Sequence, residues 1–169
     1  MKAKDLLDQY GITSIYHFTD HANLESIKKF GIQSLRSIDI NNIPVVCYGA
    51  ESLSHHLDRK YGLDKFVHLA FIKDHPMYYV AKQRGTIINP VWIEVDISVL
   101  FKSETLFCNQ IANQNNAHLF SLPNILDCID FPTMLYSNDF YSRKEARKAE
   151  ILVLESIEPN LIKGISYGK

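Results

Sequence analysis

Apolar and polar residues alternate through VWIEVDI, residues 91–97, with the period of a half-buried β-strand. The alternation predicts that the aliphatic residues face a core and the acids face solvent: Val91, Ile93, Val95 and Ile97 against Glu94 and Asp96. Stretches rich in β-branched, aromatic or continuous apolar residues predict the other strands, at 13–18, 65–72, 104–108, 150–156 and 161–167. Strands are therefore expected towards both ends of the chain.

Helical spacing and helix-capping residues predict the remaining elements. Thr19 or Asp20 suits the cap of a helix that runs to Phe30, and Gly31 ends that helix. Pro76 suits the first turn of another helix, which ends at Gly85. Further helices are predicted at 3–10, 50–61 and 122–129, so most helices lie in the first half of the chain. The predicted fold class is α+β.

The segment NQIANQNNAH, residues 109–118, is rich in amides and has no apolar rhythm. This composition predicts a long mobile loop. Loops of this kind inside a compact domain are often lids or substrate contacts.

Composition narrows the class of protein. The chain has 169 residues and 46% apolar residues, which fits one globular domain over 1–169. Three scattered cysteines and no C-x-x-C pair predict neither a disulfide framework nor a metal site. No apolar run is long enough to span a bilayer, and the N-terminal residues lack a signal-peptide pattern. We expect a cytoplasmic protein without a membrane segment.

The stretch RKEARKAEILVLES, residues 143–156, places a basic run before a single acid, Glu150, and an apolar strand. Glu150 is either an ordinary acid at an element boundary or a residue held for catalysis. The basic run has two interpretations as well. The net charge of −1 does not indicate a general nucleic-acid binder, so the run is either a solvated face or a local patch for phosphates.

Three motifs in order resemble the DarT family of DNA ADP-ribosyltransferase toxins. IYHFTDHANLESIKKFGIQS (15–34) is similar to the family's opening motif, a strand and a Gly-terminated helix. GLDKFVHLAFIKDHPMYYVA (62–81) is similar to its second motif, a strand followed by a Pro-Met helix start. RKAEILV (147–153) resembles the third, in which Ala-Glu precedes an apolar strand. Together the motifs cover most of the chain.

The resemblance implies a single-domain ADP-ribosyltransferase fold, with a mixed or antiparallel β-sheet and flanking helices. It implies an enzyme that transfers ADP-ribose from NAD to a nucleobase of single-stranded DNA, or of RNA. A base must be unstacked to be attacked, which is why a single strand is expected. The family also implies a toxin of a toxin–antitoxin or phage-defence system. Its partner would be an antitoxin, either a macrodomain hydrolase or a blocking protein.

Two catalytic positions follow from the resemblance. Glu150 matches the carboxylate that stabilises the cationic ribose or takes a proton from the attacking base. The family also has an arginine on the helix before the second motif, where this chain reads SLSHHLDRKYG. His55 stands at that position and Arg59 lies one turn later, so either could serve. The departure also leaves open reduced activity or a different target.

The opening motif supplies the residues expected to bind NAD, alongside simpler structural roles. His17 is either a cofactor ligand or a residue satisfied within the strand, and Thr19 and Asn23 either meet NAD or cap the helix. Met77 and Tyr78 are implied as an apolar or stacking wall for nicotinamide, and Met77 is otherwise part of the core. The expected NAD-binding set is Tyr16, His17, Phe18, Thr19, Asn23 and Met77, and Arg143 and Arg147 are expected to bind the nucleic acid.

Two other functions remain open from the sequence. A protein ADP-ribosyltransferase would need no electropositive channel. A catalytically weak NAD-binding or interaction module would fit the missing arginine.

Overall fold

A seven-stranded antiparallel sheet forms the centre of the computed structural model, which describes residues 3–50 and 52–168. The described strands are β1 (Ser14–Asp20), β2 (Ile32–Gln33), β3 (Phe66–Ala70), β4 (Pro90–Asp96), β5 (Leu106–Cys108), β6 (Leu119–Ser121), β7 (Glu150–Leu154), β8 (Ser156–Ile157) and β9 (Ile162–Tyr167). The sheet order is β6-β5-β7-β3-β1-β4-β9, and β2 pairs separately with β8.

The alternation along β4 explains its place in the sheet. Val91, Ile93 and Val95 are fully buried and belong to the main core, as the period of two predicts. Trp92 lies on the opposite face, in a smaller aromatic cluster with Tyr78. The continuous apolar run of β7 is buried because this strand lies between β5 and β3.

Eight α-helices in the described residues surround the sheet. They are α1 (Ala3–Gln9), α2 (Leu24–Phe30), α3 (Leu35–Asn41), α4 (Ser52–Lys60), α5 (Pro76–Arg84), α6 (Ile125–Cys128), α7 (Phe131–Tyr136) and α8 (Phe140–Ala146). Gly31 ends α2 at φ +77°, and a Cβ there would collide with the backbone of Ile157. Only glycine fits both the backbone conformation and that close approach.

The predicted α+β class is confirmed, but several elements differ in detail. Most of the described helices lie in the first half, as predicted, since α1 to α5 end by Arg84, and α6, α7 and α8 follow the loop at 109–118. The helix expected after Asp20 is divided into a 3-10 turn, His21–Asn23, and α2. The helix expected at 50–61 is observed as α4, with residue 51 outside the described residues. The short elements α3, α7, α8, β2 and β6 were not predicted, since their hydrophobic patterns are too brief to show a period.

The pairing of β1 with its two neighbours is unequal. β1 pairs with β4 at seven positions, from Ser14 with Asp96 to Asp20 with Pro90. With β3 it pairs at one position, Tyr16 with Ala70. The two central strands therefore diverge, and residues from both of them line a cavity.

No helix in the part of the chain that the structure describes is long and apolar enough to cross a membrane.

Candidate active site

A cavity of about 520 Å³ lies where β1 and β3 diverge. That volume falls within the range of small-molecule sites. Most of the candidate site residues that the sequence indicated line it: Tyr16, His17, Phe18, Thr19, Asn23, His55, Met77 and Glu150. Segments far apart in the sequence therefore meet around one space.

Glu150 is the first residue of β7 and is 8% exposed. Its Oε2 atom accepts a hydrogen bond of 2.8 Å from the backbone N–H of Ala112 and lies 3.3 Å from Nδ1 of His68. Burial raises the pKa of this carboxyl, but the hydrogen bond and positive charge of His68 outweigh burial and lower it. Glu150 is therefore ionised at neutral pH although it is buried.

His68 is the residue that keeps the carboxyl of Glu150 ionised. Burial lowers the pKa of its imidazole, but the hydrogen bond and charge of Glu150, together with the charge of Asp58, raise it to about 9. The imidazole is therefore protonated at neutral pH and forms an ion pair with Glu150.

The loop at 109–118 is attached to this ion pair. Ala112 donates its N–H to Glu150, and Nδ2 of the neighbouring Asn113 lies 3.1 Å from both Oδ1 of Asp58 and Oγ of Ser54. Asn113 is buried, so the loop is joined to α4 as well as to β7. The segment expected to contact substrate thus reaches Glu150 directly.

His17 is held by the backbone of β3. Its Nδ1 lies 3.1 Å from the carbonyl oxygen of His68, and a carbonyl only accepts, so Nδ1 carries the proton. Burial lowers the pKa of His17, which keeps the ring neutral. Its Nε2 is then a hydrogen-bond acceptor.

Asn23 precedes α2, but its side chain makes no capping hydrogen bond, so the capping role that the sequence allowed is wrong and its structural role is a different one. Its Nδ2 donates to Oγ1 of Thr19 at 3.0 Å and to the carbonyl of Cys47 at 2.5 Å. Its Oδ1 accepts from the backbone N–H groups of Val46 and Cys47, at 3.0 and 3.1 Å. Asn23 therefore fixes residues 46 and 47, which lie beside the cavity, to the end of β1.

Aromatic rings support one wall of the cavity. Tyr78 stacks on Trp92 with ring centroids 4.8 Å apart, and Phe18 meets both rings edge to face. Tyr16 contacts Trp92 edge to face as well. Met77 is half-buried and lines the cavity, whereas its neighbour Tyr78 is 3% exposed. The Pro-Met segment thus sends one side chain to the cavity and the next into the aromatic cluster.

The two substitutes for the family's arginine lie in different places. His55 lines the cavity and packs edge to face on Tyr48, with ring centroids 5.1 Å apart. Burial lowers the pKa of His55, which favours its neutral form. Arg59 is exposed and pairs with Asp39 at 3.0 Å, outside the cavity lining.

The arginines expected to bind nucleic acid do not line the cavity. Arg143, on α8, donates to the carbonyl of Ser137 at 3.0 Å. Arg147, just after α8, donates to the carbonyl of Met134 at 3.1 Å and forms an ion pair with Asp74. Both side chains therefore stabilise the α7–α8 region next to the start of β7.

Among residues 3–50 and 52–168, no group of three or more His, Cys, Asp and Glu side chains is placed to hold a metal ion.

Comparison with known sequences decides the family. A sequence model described as "DarT: ssDNA thymidine ADP-ribosyltransferase, DarT" matches residues 16–169. The chain belongs to the DarT family. The family that the three motifs resembled is thereby confirmed, and so is the predicted enzyme class, an NAD-dependent ADP-ribosyltransferase. No curated protein matches the chain.

Solved structures of DarT proteins share the fold. Thermosipho africanus DarTG in complex with ADP-ribose has a TM-score of 0.75 and 21% identity, over 93% of this chain. The chain spans 44% of the length of that protein. Thermus sp. 2.9 DarT in complex with ADP-ribosylated ssDNA has a TM-score of 0.75 and 18% identity, over 94% of this chain and 83% of that one. The same Thermus protein with NAD+ has a TM-score of 0.69 and 18% identity, with the same coverage.

Several cavity residues of this DarT chain were missed by sequence reasoning. His68 was treated only as a member of a buried strand, although a histidine inside an apolar run was a visible signal. Asp58 and Asn113 gave no such signal, because solvated helices and polar loops commonly contain these residues. The cavity lining also includes His75, which caps α5 by accepting from the N–H of Met77, and Arg84 in the last turn of α5.

Proposed function

We propose that this chain transfers ADP-ribose from NAD to thymidine in single-stranded DNA. The observation that carries the proposal is the buried, ionised Glu150 on the wall of a cavity that His17 and Met77 also line. The family description supplies the acceptor, and the Thermus DarT complexes with NAD+ and with ADP-ribosylated ssDNA support both substrates.

Glu150 acts where the bond between nicotinamide and ribose breaks. Positive charge develops on the ribose as that bond breaks, and a carboxylate at the ribose stabilises it. The same carboxylate orients a ribose hydroxyl, or accepts the proton that the base loses. The backbone N–H of Ala112 and the ring of His68 hold Oε2 in place for either role.

The opening motif binds the rest of NAD in this proposal. His17 offers Nε2 to a ribose hydroxyl, because its Nδ1–H is already bonded to His68. Thr19 and Asn23 shape the floor beside residues 46 and 47. Met77, Tyr16 and Phe18 form the apolar wall against which nicotinamide packs.

His55 contacts the substrate in place of the family's arginine, since it is the one of the two candidates that lines the cavity. With its pKa lowered, it acts as a neutral hydrogen-bonding group rather than a fixed positive charge. Another residue then supplies the positive charge that pairs with the phosphates of NAD. We assign this role to Arg84, an arginine on the cavity lining.

The biological role that we propose is that of a cytoplasmic toxin in a toxin–antitoxin or phage-defence system. A cell that carries such an activity needs a partner that removes the modification or blocks the enzyme. The partner is an antitoxin, either a macrodomain hydrolase or a blocking protein. The match to DarTG, a protein more than twice as long as the matched region, supports a second component.

Incubation of the purified protein with NAD and separate pools of ssDNA, RNA and protein tests the activity. We expect an added ADP-ribose, detected by mass spectrometry, on oligodeoxynucleotides that contain thymidine. Matched oligodeoxynucleotides without thymidine are the control and should stay unmodified. Modification of RNA or protein alone would contradict the proposal. NAD binding without transfer to any pool would favour a weak binding module.

His17→Ala is expected to weaken NAD binding by about 2- to 12-fold, the equivalent of one neutral hydrogen bond of about 0.5–1.5 kcal/mol. Titration of NAD against folded protein measures the effect. His21→Ala, at an exposed position close by, is the control and should bind NAD normally. Unchanged affinity in the His17 variant would leave His17 with its structural bond to β3 alone.

Arg143→Gln is expected to weaken oligonucleotide binding and to reduce the slope of log K against log salt by about 1, because one phosphate contact is lost. A guanidinium has five N–H donors, so the bond to Ser137 does not prevent that contact. Arg147 is left unchanged, since replacing it would also break the pair with Asp74.

Lys102→Gln removes the same charge from an exposed site and is the control for Arg143. Its salt slope should equal that of the parent. NAD hydrolysis without an acceptor should be unaffected in both variants. An unchanged slope in Arg143→Gln would place this arginine in the α7–α8 structure and not on the nucleic acid.

A further inference from the structure

His68 joins the two residues to which the proposed function gives the central roles. It lies in β3, between β1, which carries His17, and β7, which carries Glu150. Its ring is 3.3 Å from Oε2 of Glu150, and its carbonyl oxygen is 3.1 Å from Nδ1 of His17. One residue therefore contacts the carboxylate through its side chain and the cofactor-binding ring through its backbone.

The contact between the side chains of His68 and Glu150 is partly shielded from solvent and is held from two sides. The side chain of Glu150 is 10% exposed and that of His68 is 28% exposed. The N–H of Ala112 bonds to the same oxygen of Glu150, so two groups from different elements converge on one atom. A carboxylate held in this way loses little rotamer freedom when substrate arrives.

The surroundings determine which of these groups carry charge. The titratable or charged groups that face the pair are His17 on β1, His55 and Asp58 on α4, His75 before α5, Cys108 on β5 and Lys148 before β7. Burial lowers the pKa of His17, His55 and His75, and burial raises the pKa of the Cys108 thiol. These four groups are neutral at pH 7, so the imidazolium of His68 is the positive charge in contact with Glu150.

We propose that His68 is a positioning residue for ADP-ribose transfer, whose ring holds the Glu150 carboxylate in place together with the N–H of Ala112. The proposal rests on the proposed function, because it assigns the reacting carboxylate to Glu150. His68 lies inside the stretch that resembles the family's second motif, and that resemblance gave it no role.

The pH range in which both residues are charged follows from the directions of their two pKa shifts. The pKa of Glu150 is lowered, so the carboxylate is ionised above its ordinary value of 4.5 and is lost as the pH falls below it. The pKa of His68 is raised to about 9, so the imidazolium persists above its ordinary value of 6.5 and is lost as the pH passes about 9. The pair is complete between those limits. Activity should show an acid limb from Glu150 and an alkaline limb near pH 9 from His68.

Two substitutions separate the charge of His68 from its hydrogen bond. His68→Asn keeps a neutral N–H donor near the place of Nδ1, and His68→Leu removes the donor as well. Neither alters the backbone carbonyl that holds His17, so KM for NAD should change less than about threefold. We expect kcat to fall by about 10-fold in His68→Asn and about 100-fold in His68→Leu at pH 7.5.

The pH profile of kcat from about pH 3 to pH 10 is the deciding activity measurement, because it covers both limbs. In both variants the alkaline limb near pH 9 should disappear. The acid limb should move to higher pH, because burial raises the pKa of Glu150 once the imidazolium is absent. His21→Asn, at an exposed site, should keep both limbs. If the folded His68 variants keep both limbs of the kcat profile at the pH values of the parent, the proposal is overturned.

An NMR titration of the His68 ring tests the ion pair without any activity. The ring should titrate near pH 9 in the parent and at a lower pH in Glu150→Gln, since the partner charge is gone. Titration at its ordinary value in both proteins would refute the proposal even if transfer is observed. A parent that shows the raised titration but modifies no pool would instead refute the proposed function and leave the ion pair established.

Discussion

Replacing Glu150 with glutamine is expected to lower the rate of ADP-ribose transfer by about 10²–10⁴-fold, the loss typical of a catalytic acid–base or charge-stabilising group. Glutamine has nearly the same shape, and its carbonyl oxygen can still accept the N–H of Ala112. The negative charge opposite the developing ribose cation is lost. Single-turnover transfer from NAD to a thymidine oligonucleotide measures the effect, and toxicity on expression should fall with it.

The control for this substitution is Glu145→Gln on α8. Glu145 is exposed and pairs with Lys148, so its replacement removes an acid of the same type close to the site without reaching the cavity. Its transfer rate should equal that of the parent. A folded Glu150→Gln protein that transfers at the parental rate would remove Glu150 from the chemistry. His68 would then lose its proposed role too, because it acts through Glu150.

The local parts of the site were predictable because local sequence determines them. Val91, Ile93 and Val95 stand at every second position, and the strand they form is buried on the expected face. Pro76 and Gly85 bound α5 as their backbone preferences require. Glu150 was a candidate because it is a single acid directly before an apolar strand. The sequence pattern could not show whether its side chain is buried and hydrogen-bonded or exposed at the end of the strand.

The contacts that give Glu150 its charge were not predictable from the same pattern. His68 and Glu150 are 82 positions apart, and their contact depends on the register that pairs Ala70 with Glu150. A shift of one residue would place His68 on the other face of the sheet. The bond from Asn113 to Asp58 spans 55 positions and depends on the path of a polar loop. Periodicity contains no information about either.

The basic run shows how charge pattern and geometry differ. Spacing placed Arg143 and Arg147 four residues apart, which is one face of a helix. Charge alone could not show that Arg147 reaches Asp74 and the carbonyl of Met134. A guanidinium that joins three segments contributes to structure whether or not it also meets a phosphate. The role of the pair in nucleic-acid binding stays a prediction, and the salt slope of Arg143→Gln tests it.

Replacing Asn23 with alanine is expected to lower the free energy of unfolding by about 2–4 kcal/mol, because the side chain makes four hydrogen bonds and is 6% exposed. The N–H groups of Val46 and Cys47 would lose their acceptor. For a domain of this size the midpoint of thermal unfolding should fall by roughly 5–15 °C. Asn23→Asp keeps that acceptor but turns a buried carboxylate oxygen towards the carbonyl of Cys47, which also only accepts, so a loss at least as large is expected.

The control for Asn23 is Asn41→Ala on α3, where an exposed amide donates once, to the carbonyl of Ser37 at 3.0 Å. Its stability should change by less than about 0.5 kcal/mol. NAD affinity, measured below the unfolding range, distinguishes a direct contact of Asn23 with the cofactor from its structural bonds to residues 46 and 47. If residues 46 and 47 form the floor of the cavity, affinity and stability should fall together in Asn23→Ala. Full stability with lost affinity would show that the amide serves the cofactor directly, because the bonds to residues 46 and 47 would then contribute nothing to the fold.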